Sequence, residues 1–157
     1  MLILVLCLVT ISQTFGQQKF TISKYIAEHK KVAQQLMKET GVPASVILAV
    51  AIHESAYGNS RVAKHLNNHF GIKGKNNSKT IRSAYKGYGS VMDSYNDFIG
   101  LLQRKKTTQS LFSSKDSDDY TIWVKGIARS GYSTTKTWSS KIISTINRYD
   151  LDDLDAI

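Results

Sequence analysis

Apolar positions recur at helical spacing in five stretches of the chain, and one long stretch has no period at all. Residues 23–40, "SKYIAEHKKVAQQLMKET", place Tyr25, Ile26, His29, Val32, Ala33, Leu36, Met37 and Thr40 on one stripe. Ser23 is the expected cap and Gly41 the stop. Pro43 then opens a second helix, "ASVILAVAIHESAYG", which is apolar all round as far as Ile52 and is therefore expected at the centre of the fold, with Gly58 as its stop. Residues 90–103 carry Val91, Tyr95, Phe98, Leu101 and Leu102 inward behind the capping box "SVMD". Two further helices are predicted over 117–130, stopped by Gly131, and over 137–149. Between Asn59 and Gly89 the chain is rich in Gly, Asn, Ser and Lys. "GKNNSK" is a turn signal and "TIRSAY" a short strand, so this segment predicts a small lobe of loops with one hairpin. The pattern as a whole predicts an α+β domain that is predominantly α-helical.

The first residues differ from the rest. "MLILVLCLVTISQTFGQ" is uncharged and apolar from Met1 to about Ile11, too short for an ordinary membrane-spanning helix. Thr14 and Gly16 are small residues where a signal peptidase could cut. Residues 1–16 are therefore expected to be a signal peptide, 17–150 the domain, and 151–157 an acidic tail. Cys7, the single cysteine, would leave with the signal, so neither a disulfide nor a thiol nucleophile is expected. The expected location is secreted, periplasmic or in the cell envelope.

Charge narrows the partners. The formal net charge is +9. Between Ser55 and Met92 there are seven basic residues (Arg61, Lys64, Lys73, Lys75, Lys79, Arg82, Lys86) and no acid. The acids gather in "KDSDDY" and "YDLDDLDAI". An anionic partner is favoured, whether wall polymer, acidic glycan, lipid headgroup or nucleic acid; a merely solvated basic face is the plainer reading. "HESAY" begins like a zinc-protease H-E-x-x-H but has Tyr57 in place of the second histidine, and no other ligand spacing occurs. With no G-x-S-x-G elbow and no phosphate-cradling loop, neither metal nor cofactor is expected.

The residue that asks for an explanation is Glu54, which closes the most apolar helix of the chain. Helical spacing sets it over Ile47, Val50 and Ala51. Glutamate is almost never fully buried unpaired, so it is expected at the helix end, on the floor of a cleft. Apolar neighbours and the negative end of the helix dipole both favour a neutral carboxyl, the form a general acid needs. The alternative is a solvated helix-end glutamate paired with Arg61 or Lys64.

"GVPASVILAVAIHESAYGNS" followed by "LNNHFGIKG" resembles the bacterial glucosaminidase family of peptidoglycan hydrolases, found in flagellar and autolysin proteins. "AYKGYGSVMDSYNDFIGLL" and "GYSTTKTWSSKI" resemble later motifs of that family, in its order, from about Phe20 to Tyr149. The resemblance implies a lysozyme-like fold with a small, shortened β/loop lobe. It also implies hydrolysis, as an endo-β-N-acetylglucosaminidase, of the β-1,4 bond after N-acetylglucosamine in peptidoglycan glycan strands. Glu54 is implied as general acid and Tyr132 as the tyrosine near the reacting sugar. Asn68 and Phe70 would line the cleft, with Tyr57 and Tyr88 as weaker subsite candidates and Asn67 fixing its own loop. The chain departs from the family twice. No carboxylate lies between Ser55 and Met92 to act as a second catalytic group; the next are Asp93, explained by the capping box, and Asp97. "STTK" replaces A-T-D-P, with Thr134 or Thr135 able to cap the last helix, and Trp138 stands where a tyrosine is usual and is expected in the core. Two routes remain open, attack by the sugar's own 2-acetamido group or loss of activity with glycan binding kept. N-acetylmuramidase or lytic transglycosylase activity is the nearest enzymatic alternative. A monomer is expected, without nucleic-acid binding or stable membrane insertion once the signal is cut.

Overall fold

The computed structural model describes residues 20–113 and 119–156. The expected signal peptide lies outside them. No helix among the described residues is long and apolar enough to cross a membrane.

The fold is built around α2 (Ala44–Ser55), in which every residue from Ala44 to Ile52 is buried. A helix apolar on all sides can satisfy itself only by being surrounded. Here α1 (Ile22–Thr40), α6 (Tyr120–Arg129) and α7 (Trp138–Arg148) pack against it. The remaining helices are α3 (Arg61–Leu66), α4 (Val91–Arg104) and the single turn α5 (Lys106–Gln109), which runs on into a 3-10 turn over Ser110–Ser113. The largest fully buried side chains are Trp123, Trp138, Tyr25, Tyr95, Phe70 and Phe98.

Most helix ends follow the local chemistry. Gly41 closes α1 at φ +80° with its N–H on Met37 O, a conformation that glycine adopts without penalty. Ser90 and Asp93 form the expected reciprocal capping box of α4. Other ends differ. Thr21, not Ser23, caps α1 through Lys24 N–H. Neither Thr134 nor Thr135 caps α7; Thr137 occupies that position without a side-chain bond.

The acidic tail is part of the fold. Residues Leu151–Asp155 form a 3-10 turn against α2, with Leu151 buried. Asp155 accepts hydrogen bonds from Ser45 N–H (2.9 Å) and Ser45 Oγ (2.5 Å). Pro43 offers α2 no side-chain cap, so a carboxylate from the far end of the chain supplies one. The expected hairpin is reduced to one antiparallel bridge, Lys73 with Tyr85, flanked by bonds from Gly74 N–H to Ala84 O and from Lys86 N–H to Ile72 O. This minimal lobe faces the helical body across a cleft that starts at the end of α2.

Candidate active site

The stretch "ESAYGNS" at the end of α2 forms a tight turn. Helix α2 ends at Ser55, three residues before Gly58, because Ala56 (φ 50°), Tyr57 (φ 44°) and Gly58 (φ 79°) are all left-handed. For Ala56 and Tyr57 that costs about 1–2 kcal/mol each. The bonds that the turn makes offset this. Tyr57 N–H reaches Ile52 O, Ser60 N–H reaches Ser55 O, and Gly58 N–H reaches Ser55 Oγ, whose own proton goes to Ala51 O. Gly58 adopts φ +79°, which favours glycine, and a Cβ there would make a tight contact of 3.3 Å with the Tyr25 ring. Ser60 then caps α3 through Ala63 N–H. The turn holds the last helical glutamate at the mouth of the cleft while the chain reverses.

Opposite lies the loop Asn67–Lys73. Asn67 ends α3 in the left-handed region and donates to Tyr88 O, tying down its own loop. Asn68 is buried, and its amide is fully committed: Nδ2 donates to Ile72 O and Lys86 O, and Oδ1 accepts from Phe70 N–H and Ile72 N–H. It is the brace of the loop and has no group left for a sugar. Phe70 is likewise turned inward, its ring stacked on Phe98 (4.4 Å, 10°) and edge-on to Tyr95 (4.7 Å). Behind it, Tyr25 Oη lies 2.5 Å from His69 Nδ1 and 3.1 Å from Tyr95 Oη. Burial, reinforced by His29, drives the His69 imidazolium down to about 4, and burial pushes the Tyr25 phenol up to about 12, so this cluster is neutral at ordinary pH.

Gly71 (φ +63°) brings the loop close to the carboxylate: a Cβ there would lie 3.3 Å from Glu54 Oε2. Glu54 is half-buried and borders a cleft of about 500 Å3. Among the described residues it is the one acid lining that space, which also takes in Lys73, Tyr85, Lys105, Tyr132 and Thr134. A second groove of about 530 Å3, between α1, the end of α2 and α7, contains His53, Lys141 and Arg148 but no carboxylate. Of these two spaces, the first is the one that sets a carboxylate on its lining. Tyr132 reaches the cleft wall, but its hydroxyl donates to Phe70 O at 2.6 Å. Burial, with the Glu54 charge beside it, holds that phenol well above its ordinary range, so it neither ionises nor has its proton free.

The profile of the glucosaminidase family, described as mannosyl-glycoprotein endo-β-N-acetylglucosaminidase, matches residues 30–151. The chain belongs to the glucosaminidase family. The chain is 30% identical over 145 residues to exo-glucosaminidase LytG of Bacillus subtilis, an alignment covering 80% of the chain and 50% of that relative. The chain thus spans half the length of that curated relative. Two solved structures superpose well. One is an N-acetylmuramoyl-L-alanine amidase from Staphylococcus aureus (TM-score 0.72, 25% identity, 85% of this chain and 43% of the other). The second is the catalytic domain of the autolysin Auto from Listeria monocytogenes (TM-score 0.64, 26% identity, 90% and 91%).

Of the residues singled out from sequence, Glu54 and Tyr132 meet at the cleft. Tyr57 sits on the strained turn and packs on the core. Tyr88 donates to Asp97 Oδ2 (2.9 Å) under the ammonium of Lys86 and lines a separate hollow of the lobe with Lys75 and Asn76. Asp97 also accepts from Lys86 Nζ (2.7 Å) and Arg104 (3.0 Å). Burial pushes this carboxyl up, but the bonds from Lys86, Tyr88 and Arg104 outweigh it and hold it below its ordinary value. It is a clamp between lobe and α4. The missed residues are Gly71 and Trp138. Trp138 is buried as expected, yet its indole N–H donates to Glu54 Oε1 at 2.9 Å. The one signal for it was the exchange of a phenol for another ring bearing a donor.

Proposed function

We propose that this protein is a secreted or envelope-located endo-β-N-acetylglucosaminidase that cleaves the β-1,4 bond after N-acetylglucosamine in peptidoglycan, with Glu54 as general acid. The observation that carries the reading is one carboxylate, alone among the described lining residues, bordering a cleft of about 500 Å3 with Oε2 turned toward the loop at Gly71. Family membership and the likeness to an exo-glucosaminidase and an autolysin support the glucosaminidase part of this reading.

With Asp97 and Asp93 engaged elsewhere, the geometry favours the substrate's own nucleophile. The carbonyl oxygen of the 2-acetamido group attacks C1 as the C1–O bond breaks. The Glu54 proton passes to the departing oxygen, leaving an oxazolinium on the sugar and a carboxylate on the protein. Water then adds at C1 as the oxazolinium C1–O bond breaks and the acetamide is restored, its proton passes to Glu54, and the configuration is retained. Tyr132 supports this by holding the loop through Phe70 O. Lys73, exposed on the cleft and outside the ion pairs found among the described residues, suits a glycan bearing lactyl or peptide carboxylates better than neutral chitin.

Digestion of purified peptidoglycan, followed by borohydride reduction and mass spectrometry, tests the bond. Reduced N-acetylglucosamine ends on fragments of several disaccharides are expected. N-acetylmuramic or anhydro ends would contradict the bond assignment, and release of single terminal sugars alone would contradict the endo mode. A glycan-binding protein without activity is the second reading, favoured by the single carboxylate; wall sedimentation without any release would support it.

A further inference from the structure

We propose that Trp138 is a positioning residue that holds Glu54 by Oε1 so that the carboxyl carries its transferable proton on Oε2. The inference rests on Glu54 being the acid and adds how its proton is aimed.

An indole N–H can donate but cannot accept. The oxygen 2.9 Å from Trp138 Nε1 must therefore present a lone pair, and a proton on the carboxyl belongs on the other oxygen. That oxygen, Oε2, is the one beside Gly71, where a side chain would fill the approach at 3.3 Å and glycine leaves it open. Donor and opening thus lie on opposite oxygens of one carboxyl. A phenol in place of the indole could donate or accept and would leave the seat of the proton undecided; a donor-only ring removes that ambiguity.

The indole is itself fixed. Trp138 is 2% exposed and opens α7, whose inward residues Ile142 and Ile146 are fully buried. Its ring rests against Tyr132 (5.5 Å, 53°), and Tyr132 is tied to Phe70 O and lies edge-on to Phe98 of α4. The orientation of the carboxyl is thereby set by α7, the Gly131–Thr134 loop and α4 together, rather than by the rotamer preference of an exposed glutamate. Misplacement of a catalytic group by about 1 Å can cost on the order of 100-fold in rate, so such a frame has a kinetic consequence.

The test combines a measurement on the unaltered protein with one variant. In 1H–15N spectra the indole resonance of Trp138 should titrate with Glu54, sharing its midpoint with the alkaline limb of the pH–rate profile. That movement should vanish in Glu54→Gln, with the Trp123 indole as internal reference. Trp138→Phe keeps a ring but loses the donor. It should lower kcat by about tenfold with KM nearly unchanged, and displace the alkaline limb of the pH–rate profile. A Trp138 resonance that does not titrate, or a Trp138→Phe profile with an unmoved limb, would overturn the inference and leave Trp138 as core. Full activity in Glu54→Gln would instead overturn the functional reading on which it rests.

Discussion

Gly71→Ala gives the sharpest separation between a structural and a chemical effect. The backbone at this position has φ +63°, and an added Cβ would lie 3.3 Å from Glu54 Oε2 and 3.9 Å from the Tyr85 ring. Alanine can enter the left-handed region at a cost of about 1–2 kcal/mol. The contact at 3.3 Å is tight without being a clash, so the carboxyl must give by a few tenths of an ångström. For a domain of this size the strain predicts a melting temperature lower by about 4–8 °C, with the fold intact. The loss of activity should be far larger than that. The new methyl occupies the side from which a glycosidic oxygen must approach Oε2, and holding that oxygen about 1 Å short of its place predicts a fall in kcat/KM on the order of 100-fold. The assay pairs thermal unfolding by circular dichroism with release of soluble fragments from purified peptidoglycan at 25 °C, well below both transitions. Wild-type turnover with the predicted loss of stability would refute the reasoning, because Oε2 would then not face the substrate. Collapse of the fold would refute it too, by showing that Gly71 is required for structure alone.

Asp97→Asn should lower stability by weakening the clamp to Lys86 and Arg104, yet keep turnover within about tenfold of wild type; a loss on the order of 100-fold or more would identify it as a second catalytic carboxylate. His69 has a folded value of about 4, below its ordinary 6.5, so its neutral form contributes stability that is complete above pH 6.5 and is lost as pH falls through about 4. Thermal melts across that window should show a steeper decline for wild type than for His69→Gln. Burial raises the Asp155 carboxyl despite its bonds from Ser45, so that contribution is full below the ordinary 3.8 and declines as pH rises through the raised value. Asp155→Asn should therefore gain on wild type from acid to neutral pH, whereas Asp155→Ala, which removes the cap, should be less stable than Asp155→Asn by about 1 kcal/mol in urea unfolding.

What the sequence discloses and what it hides divide along physical lines. The helices carry their own signal, since an apolar stripe or an all-apolar helix has few ways to be satisfied, and Glu54 could be expected at a cleft because the unbroken apolar run stops at Ile52. The helix of which it is part ends at Ser55 rather than Gly58 because Ala56 and Tyr57 adopt backbone angles that their side chains disfavour, and only the network of Ser55 and Gly58 makes this tolerable. Asn68 was misjudged as a sugar ligand because an asparagine in a glycine-rich loop can serve substrate or backbone equally well; four backbone partners decide it here. The acidic tail gives no local sign that one of its carboxylates caps a helix 110 residues away. The bond between Trp138 and Glu54 spans 84 residues and has no local trace at all. Contacts of that kind depend on how the helices pack, and the site is assembled from them.

The most direct test of the account compares the protein with Glu54→Gln on purified peptidoglycan, measuring muropeptide release alongside wall binding by sedimentation. Glutamine keeps the shape and accepts the Trp138 N–H but cannot supply a proton. Release should fall by a factor on the order of 100–10,000 while binding to the wall stays at the wild-type level. Release near the wild-type rate by Glu54→Gln would contradict the account, since the carboxylate bordering the cleft would then not be the acid.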